Sequence, residues 1–276
     1  MTAKRIAGVV AFAFLATAAL AQTNRDGDRS QGQISFGFDG QDYNTGRNSR
    51  VGSLDFTTRL LPRVTLEGVA TGGVYFGERF GGGGAYLTFK PAAKAYITAG
   101  GSRNSNTNTT TAWSASAEAG VTFYRSNQSP IRRSSVIRAL EADLNLTEKG
   151  YSLSPPIHIL IVNPTLVVYL PRDWAFSLRA GAIRTTLAEA NTWAPSGAAK
   201  LTIPLTRHLS VSPSVAFDSE LSDVLQINNI SSREFGGGVH FWLTRNTSAA
   251  AYYFRVLYGA NHLASNSYGV SYALRF

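Results

Sequence analysis

The last ten residues, SYGVSYALRF from Ser267 to Phe276, alternate without a break. Tyr268, Val270, Tyr272, Leu274 and Phe276 fall on one side of an extended chain; Gly269, Ser271, Ala273 and Arg275 fall on the other. Successive side chains of a strand point to opposite faces, so this stretch reads as one strand with an apolar face and a small or polar face. A helix would need its apolar residues three and four apart, and here they stand two apart.

The same period recurs upstream. Ile34, Phe36 and Phe38 oppose Ser35, Gly37 and Asp39; Trp113, Ala115, Ala117, Ala119, Val121 and Phe123 oppose Ser114, Ser116, Glu118, Gly120 and Thr122. Leu140, Ala142, Leu144 and Leu146 alternate with Glu141, Asp143 and Asn145, and Val211, Pro213, Val215 and Phe217 with Ser210, Ser212, Ser214 and Asp218. After residue 33 no segment keeps a helical period for more than a few residues, so the fold class is all-β. A soluble sandwich would alternate too.

The connections favour a different architecture. Short turns stand at Leu61 to Arg63, Lys90 to Lys94, Leu170 to Asp173, Thr206 to His208 and Leu243 to Thr247. Longer polar links stand at Gly40 to Ser49, Arg103 to Thr111, Glu148 to Pro156, Leu187 to Thr192, Ser219 to Ser232 and Gly259 to Ser265. Outer-membrane barrels alternate short periplasmic turns with longer external loops in this way. Two links break the rule, the short Gly77 to Phe80 and the long Arg125 to Ser134. The count is about fourteen strands, with about twelve as the alternative, and an even number returns the chain to its starting side. The expectation is a single transmembrane antiparallel β-barrel over residues 33–276. Pro164 interrupts the apolar run Ile157 to Leu170 and suggests a bulge or two short segments there. The glycines Gly81 to Gly84 suggest strand bending rather than a phosphate loop, since no Lys-Ser or Lys-Thr follows them.

The N-terminus carries Lys4 and Arg5, the apolar run Ile6 to Leu20, and a small-x-small site at Ala19-Leu20-Ala21. That is the form of a cleaved export signal over residues 1–21, and the polar stretch 22–32 reads as a short periplasmic lead. There is no cysteine, hence no disulfide framework and no thiolate site. The net charge of +9 is spread over scattered Arg and Lys residues rather than a basic stripe, which argues against nucleic acid. Outer-membrane lipid and lipopolysaccharide, or anionic solutes in a lumen, are the partners this charge suits.

The closing residues resemble the β-signal of bacterial outer-membrane proteins, with Phe276 as the terminal aromatic, Leu274, Tyr272 and Tyr268 as apolar or aromatic positions, and Gly269 in the small position. The resemblance implies the bacterial outer membrane and, as a partner during insertion, the barrel-assembly machinery. The string GGVYFGERFGGGGAYLTFKPAAKAYITAGGS, Gly72 to Ser102, is similar to the YaiO-type outer-membrane barrel family in its Glu78 to Gly81 group, Pro91 turn, Lys94 and Tyr96 strand start, and Gly100-Gly101. This resemblance implies a β-barrel and its location, and no particular chemistry.

In phase with the apolar faces, Asp39, Asp55, Arg59, Glu67, Glu118, Glu141, Asp143, Arg179, Lys200, His240, Arg255 and Arg275 are expected to line a hydrated lumen with ion pairs across it. The aromatics Tyr75, Phe76, Phe80, Trp174, Trp193, Trp242, Tyr252 and Tyr258 are expected in interfacial girdles. None of His158, His208, His240 and His262 has a local Ser or acid at a catalytic spacing, and no two share a face, so neither a metal nor a cofactor is expected. A barrel of about fourteen strands is too wide for its own side chains to fill. The leading expectation is a passive pore for small polar solutes. The alternatives are a non-conducting structural or adhesive barrel acting through its loops, and a lipid-modifying hydrolase in which His158, His240 or His262 approaches a Ser hydroxyl.

Overall fold

In the computed structural model, which describes residues 31–105, 110–125, 137–188, 190–223, 228–259 and 263–276, the chain forms a closed barrel of fourteen antiparallel strands. They are β1 (Gly32–Tyr43), β2 (Asn48–Leu61), β3 (Val64–Tyr75), β4 (Glu78–Ala92), β5 (Ala95–Asn104), β6 (Trp113–Arg125), β7 (Ala139–Tyr151), β8 (Ile157–Tyr169), β9 (Ala175–Leu187), β10 (Ala190–Pro204), β11 (Leu209–Asp223), β12 (Asn228–Trp242), β13 (Thr247–Tyr258) and β14 (Ala264–Arg275). Each strand pairs with its neighbours in sequence, and β1 closes the ring on β14 from Gln33↔Arg275 to Tyr43↔Ser265. The stretch expected to be an export signal, nearly all of the expected polar lead, and His262 lie outside the described residues.

Partners across a ladder share a face, so one exposed position fixes the phase of the whole barrel. Phe36 and Phe38 stand opposite Tyr272 and Val270, and all four are exposed, Phe36 and Val270 at 57%. The outer face continues through Leu54, Phe56, Leu87, Phe89, Ile97, Val121, Phe123, Leu144, Leu178, Val215, Phe235 and Leu274. In water so continuous an apolar surface would drive association; in a bilayer it is what the lipid requires. Closure leaves no strand edge with unpaired backbone groups, the condition for crossing hydrocarbon.

The strands run from 10 to 15 residues, beyond the roughly 9–11 that a bilayer needs. Their ends therefore stand clear of lipid and can be polar on both faces. That is why the polar links read from sequence are shorter in the structure: β1 runs on to Tyr43 and β2 begins at Asn48, while β11 reaches Asp223 and β12 begins at Asn228. The link between β3 and β4 is a two-residue turn in which Phe76 (φ 51) and Gly77 (φ 85) both adopt the left-handed region that tight hairpins use.

Pro164 does not break β8, and it introduces no bulge. Pairing with β7 is continuous through Leu144↔Pro164, and the register with β9 is the same before and after it. Only the pairs of Asn163 and Pro164 with β9 are missing, between Val162↔Ala182 and Thr165↔Arg179. A proline has no N–H, so one rung of the ladder is lost while the register survives. Pro213 acts alike, leaving a gap between Lys200↔Ser214 and Ile203↔Val211. The glycines of β4 likewise sit in an unbroken strand paired along its length with β3.

Candidate functional site in the barrel lumen

The inward phase brings six carboxylates onto one wall: Asp39 on β1, Asp55 on β2, Glu67 on β3, Glu118 on β6, and Glu141 and Asp143 on β7. They form a continuous row. Asp55 is within electrostatic reach of Asp39, Glu67 of Asp55 and Glu118, and Asp143 of Glu118 and Glu141. None of the six makes an ion pair with a described residue. Their partners are neutral donors. The Tyr96 hydroxyl lies 2.6 Å from Glu118 Oε1 and 2.9 Å from Asp143 Oδ1, Asn145 donates to Glu118 Oε2 at 3.2 Å, and Tyr169 donates to Glu141 Oε2 at 3.2 Å. Tyr252 donates to Asp39.

Two glycines make these contacts fit. The Tyr96 ring lies over Gly120 and the Tyr252 ring over Gly269, each on the adjacent strand, where a Cβ would run into the ring and into Asp143 or Asp39. Four basic groups face the lumen from the other half of the ring, Arg179 on β9, Lys200 on β10, His240 on β12 and Arg275 on β14, with Glu234 of β12 among them, while Arg59 of β2 and Lys149 of β7 take the inward phase in the acidic half. The guanidinium carbon of Arg275 sits 4.4 Å from the Trp242 ring centroid, and His240 packs edge-on against the same ring at 4.7 Å. The expected ion pairing across the lumen is thus not made by these six acids with any described residue, and the six are gathered in one half of the ring.

No family model matches the chain, and no curated protein matches it. Among solved structures it is similar to the outer membrane protein Omp33 of Acinetobacter baumannii, at 14% identity over 90% of this chain and 98% of that one, with a TM-score of 0.52. It is similar also to a loop L8 deletion mutant of OmpT, an outer membrane protein of Vibrio cholerae, at 8% identity over 88% of this chain and 98% of that one, with a TM-score of 0.50. The translocator domain of autotransporter NalP from Neisseria meningitidis matches over 96% of both chains at 13% identity and a TM-score of 0.47. The chain has the fold of a bacterial outer-membrane β-barrel. Its exposed apolar belt places it in that membrane.

Within this outer-membrane barrel, the register sets Asp55, Arg59, Glu67, Glu118, Glu141, Asp143, Arg179, Lys200, His240 and Arg275 on the inner side, Arg59 at the rim that carries both termini. Arg255 is the exception. It pairs with Asn266 between the exposed Tyr253 and Leu257, so it projects outward, and its guanidinium donates to Asn266 Oδ1 at 2.7 Å. The aromatic run Tyr252-Tyr253-Phe254 carries no polar residue to mark the phase of β13. The girdle expectation needs a similar correction. Tyr75, Phe80, Trp242, Tyr252 and Tyr258 take the inward phase, whereas Trp193 is outward and 56% exposed. Nearness to a link does not decide which way a ring points; strand phase does.

At the rim opposite the termini, Tyr43, Tyr75, Phe76 and Tyr258 form an aromatic cluster, with centroids 5.2 Å apart for Tyr43 and Phe76 and 6.4 Å for Tyr43 and Tyr258. Gln41 and the fully buried Ser265 hydrogen-bond beside it at 3.0 Å. Tyr43, Tyr75 and Tyr258 of this cluster take the inward phase at the far mouth of the lumen.

His158 lies on the outer face, 3.8 Å from Glu148 and 5.9 Å from the Trp113 centroid. His208, in the turn before β11, contacts the Trp242 carbonyl at 3.2 Å. Neither they nor His240 is hydrogen-bonded to the serine hydroxyl of a described residue. Among the described residues, no three His, Cys, Asp or Glu side chains converge as a metal cage. The lumenal tyrosines are what the sequence reading missed. Their signal was there: Tyr96 stands in phase with Thr98, Gly100 and Ser102, the polar and small face of β5.

Proposed function

We propose that this barrel is a passive pore for small polar solutes and that it favours cations. The observation that carries the reading is the row of six lumenal carboxylates, none in an ion pair with a described residue and all in one half of the ring. Fixed charges along a water-filled passage raise the local concentration of their counter-ions and lower the barrier those ions meet. The opposite wall, with Arg179, Lys200 and Arg275, gives the lumen a field directed across the passage as well as an excess of negative charge. A solute carrying an ammonium group would travel along the acidic wall.

The aromatic cluster on the inner side of the far mouth favours a second reading, a barrel that does not conduct and acts through its exposed surface. Liposome swelling separates the two. With the purified protein in the vesicle wall, a cationic solute should enter faster than a neutral sugar of equal size, and an anionic solute slowest. Glu67→Gln combined with Glu118→Gln should bring the three rates together. Vesicles that hold folded barrel yet admit none of the three solutes would rule out the pore in favour of the second reading.

A further inference from the structure

The outer face carries six arginines whose register points them into the membrane side: Arg50, Arg79, Arg103, Arg184, Arg233 and Arg255. All six lie between the second and the sixth residue from a strand end, and every one of those ends is at the rim away from the termini. Outward positions nearer the termini are held by Phe56, Phe89, Phe123, Phe241 and Leu274. Among the outward-facing positions of the described strands the cations thus gather toward one rim, while the exposed Arg63, Lys94, Arg172, Arg207 and Arg245 stand in the turns of the other rim.

Arg103, Arg184, Arg233 and Arg255 make no ion pair with a described residue. Arg50 is bound by Asp42 at 2.7 Å and lies 5.5 Å from the Tyr268 ring centroid, whose hydroxyl donates to the same carboxylate at 3.1 Å. Arg184 lies 5.8 Å from the Trp193 centroid, and Arg103 and Trp113 share the lip of a cavity of about 510 Å³. Aromatic rings under guanidinium groups fix the forks in place at the depth where a bilayer changes from hydrocarbon to headgroup. An uncompensated guanidinium is costly on a lipid face and becomes favourable where an anion meets it.

We infer that this arginine rim binds the phosphates of lipopolysaccharide in the outer leaflet. A chain exported to the periplasm keeps its termini there, so the rim away from them faces the lipopolysaccharide leaflet. Arginine rather than lysine at all six positions fits phosphate, because the planar fork donates two parallel hydrogen bonds to a phosphate group. The binding is independent of conduction, since these side chains stand on the opposite face of the wall from the lumenal acids.

The test uses the full barrel refolded into phosphatidylcholine vesicles and recovered by gel filtration after exposure to lipopolysaccharide, dephosphorylated lipopolysaccharide or phosphatidylglycerol. Wild-type protein should retain the phosphorylated glycolipid and neither of the others. Combining Arg103→Gln, Arg184→Gln, Arg233→Gln and Arg255→Gln should weaken retention about fivefold per arginine removed, with the folded, fast-migrating band on an unheated gel unchanged. If the combined variant does not fold, Arg103→Gln and Arg233→Gln are read singly on the same scale. Equal retention of dephosphorylated lipopolysaccharide, equal retention of phosphatidylglycerol, or undiminished retention by a folded variant would each overturn the inference.

Discussion

Tyr96 shows how a single side chain organises the acidic wall. Its ring rests on Gly120, and from that seat its hydroxyl reaches Glu118 on β6 and Asp143 on β7. Gly120→Val should therefore push the ring off its seat and cost about 1–3 kcal/mol by overpacking, read as a lower urea midpoint for the barrel in vesicles. Tyr96→Phe keeps the ring and removes only the hydroxyl, so it should cost less, about 1 kcal/mol. Equal midpoints for wild type and Gly120→Val would show that the seat is not tight. Asp55, Glu67 and Glu118 could be placed inward from sequence because apolar and polar residues alternate around them. Arg255 could not, because three consecutive aromatics precede it and erase the period.

At the scale of the strand, Pro164 and Pro213 are tolerated because each removes one N–H and leaves the register intact. The missing pairs of Asn163 and Pro164 with β9 are those that need a donor at position 164, whose natural acceptor is the Ala180 carbonyl. Pro164→Val supplies that donor on a face where lipid offers no substitute. It should stabilise the barrel by about 0.5–1.5 kcal/mol, seen as a higher urea midpoint. A lower midpoint would mean that the local backbone relies on the proline ring. The existence of fourteen strands was readable from alternation and from the rhythm of turns. Their ends were not, because a strand that has left the bilayer has no apolar face to announce it, as at Gln41 to Tyr43.

For the molecule as a whole, closure is made by the segment that first disclosed the fold. Gln31 and Gly32 donate to the Phe276 carbonyl at 2.8 and 3.1 Å, and Phe276 donates to the Gly32 carbonyl at 3.1 Å, so the last residue zips the last strand onto the first. The gathering of the six carboxylates into one half of the ring belongs to this scale alone. Alternation shows that Glu67 and Lys200 both point inward, yet only the closed order of strands reveals that they face each other from opposite walls. The most direct test of that arrangement is the reversal potential of the purified, heat-modifiable barrel in a planar bilayer under a potassium chloride gradient. Stepwise conductance with a reversal potential of the sign that cations produce, diminished by Glu67→Gln with Glu118→Gln, is the predicted result. A folded barrel that reverses toward chloride, or that never conducts, would contradict it.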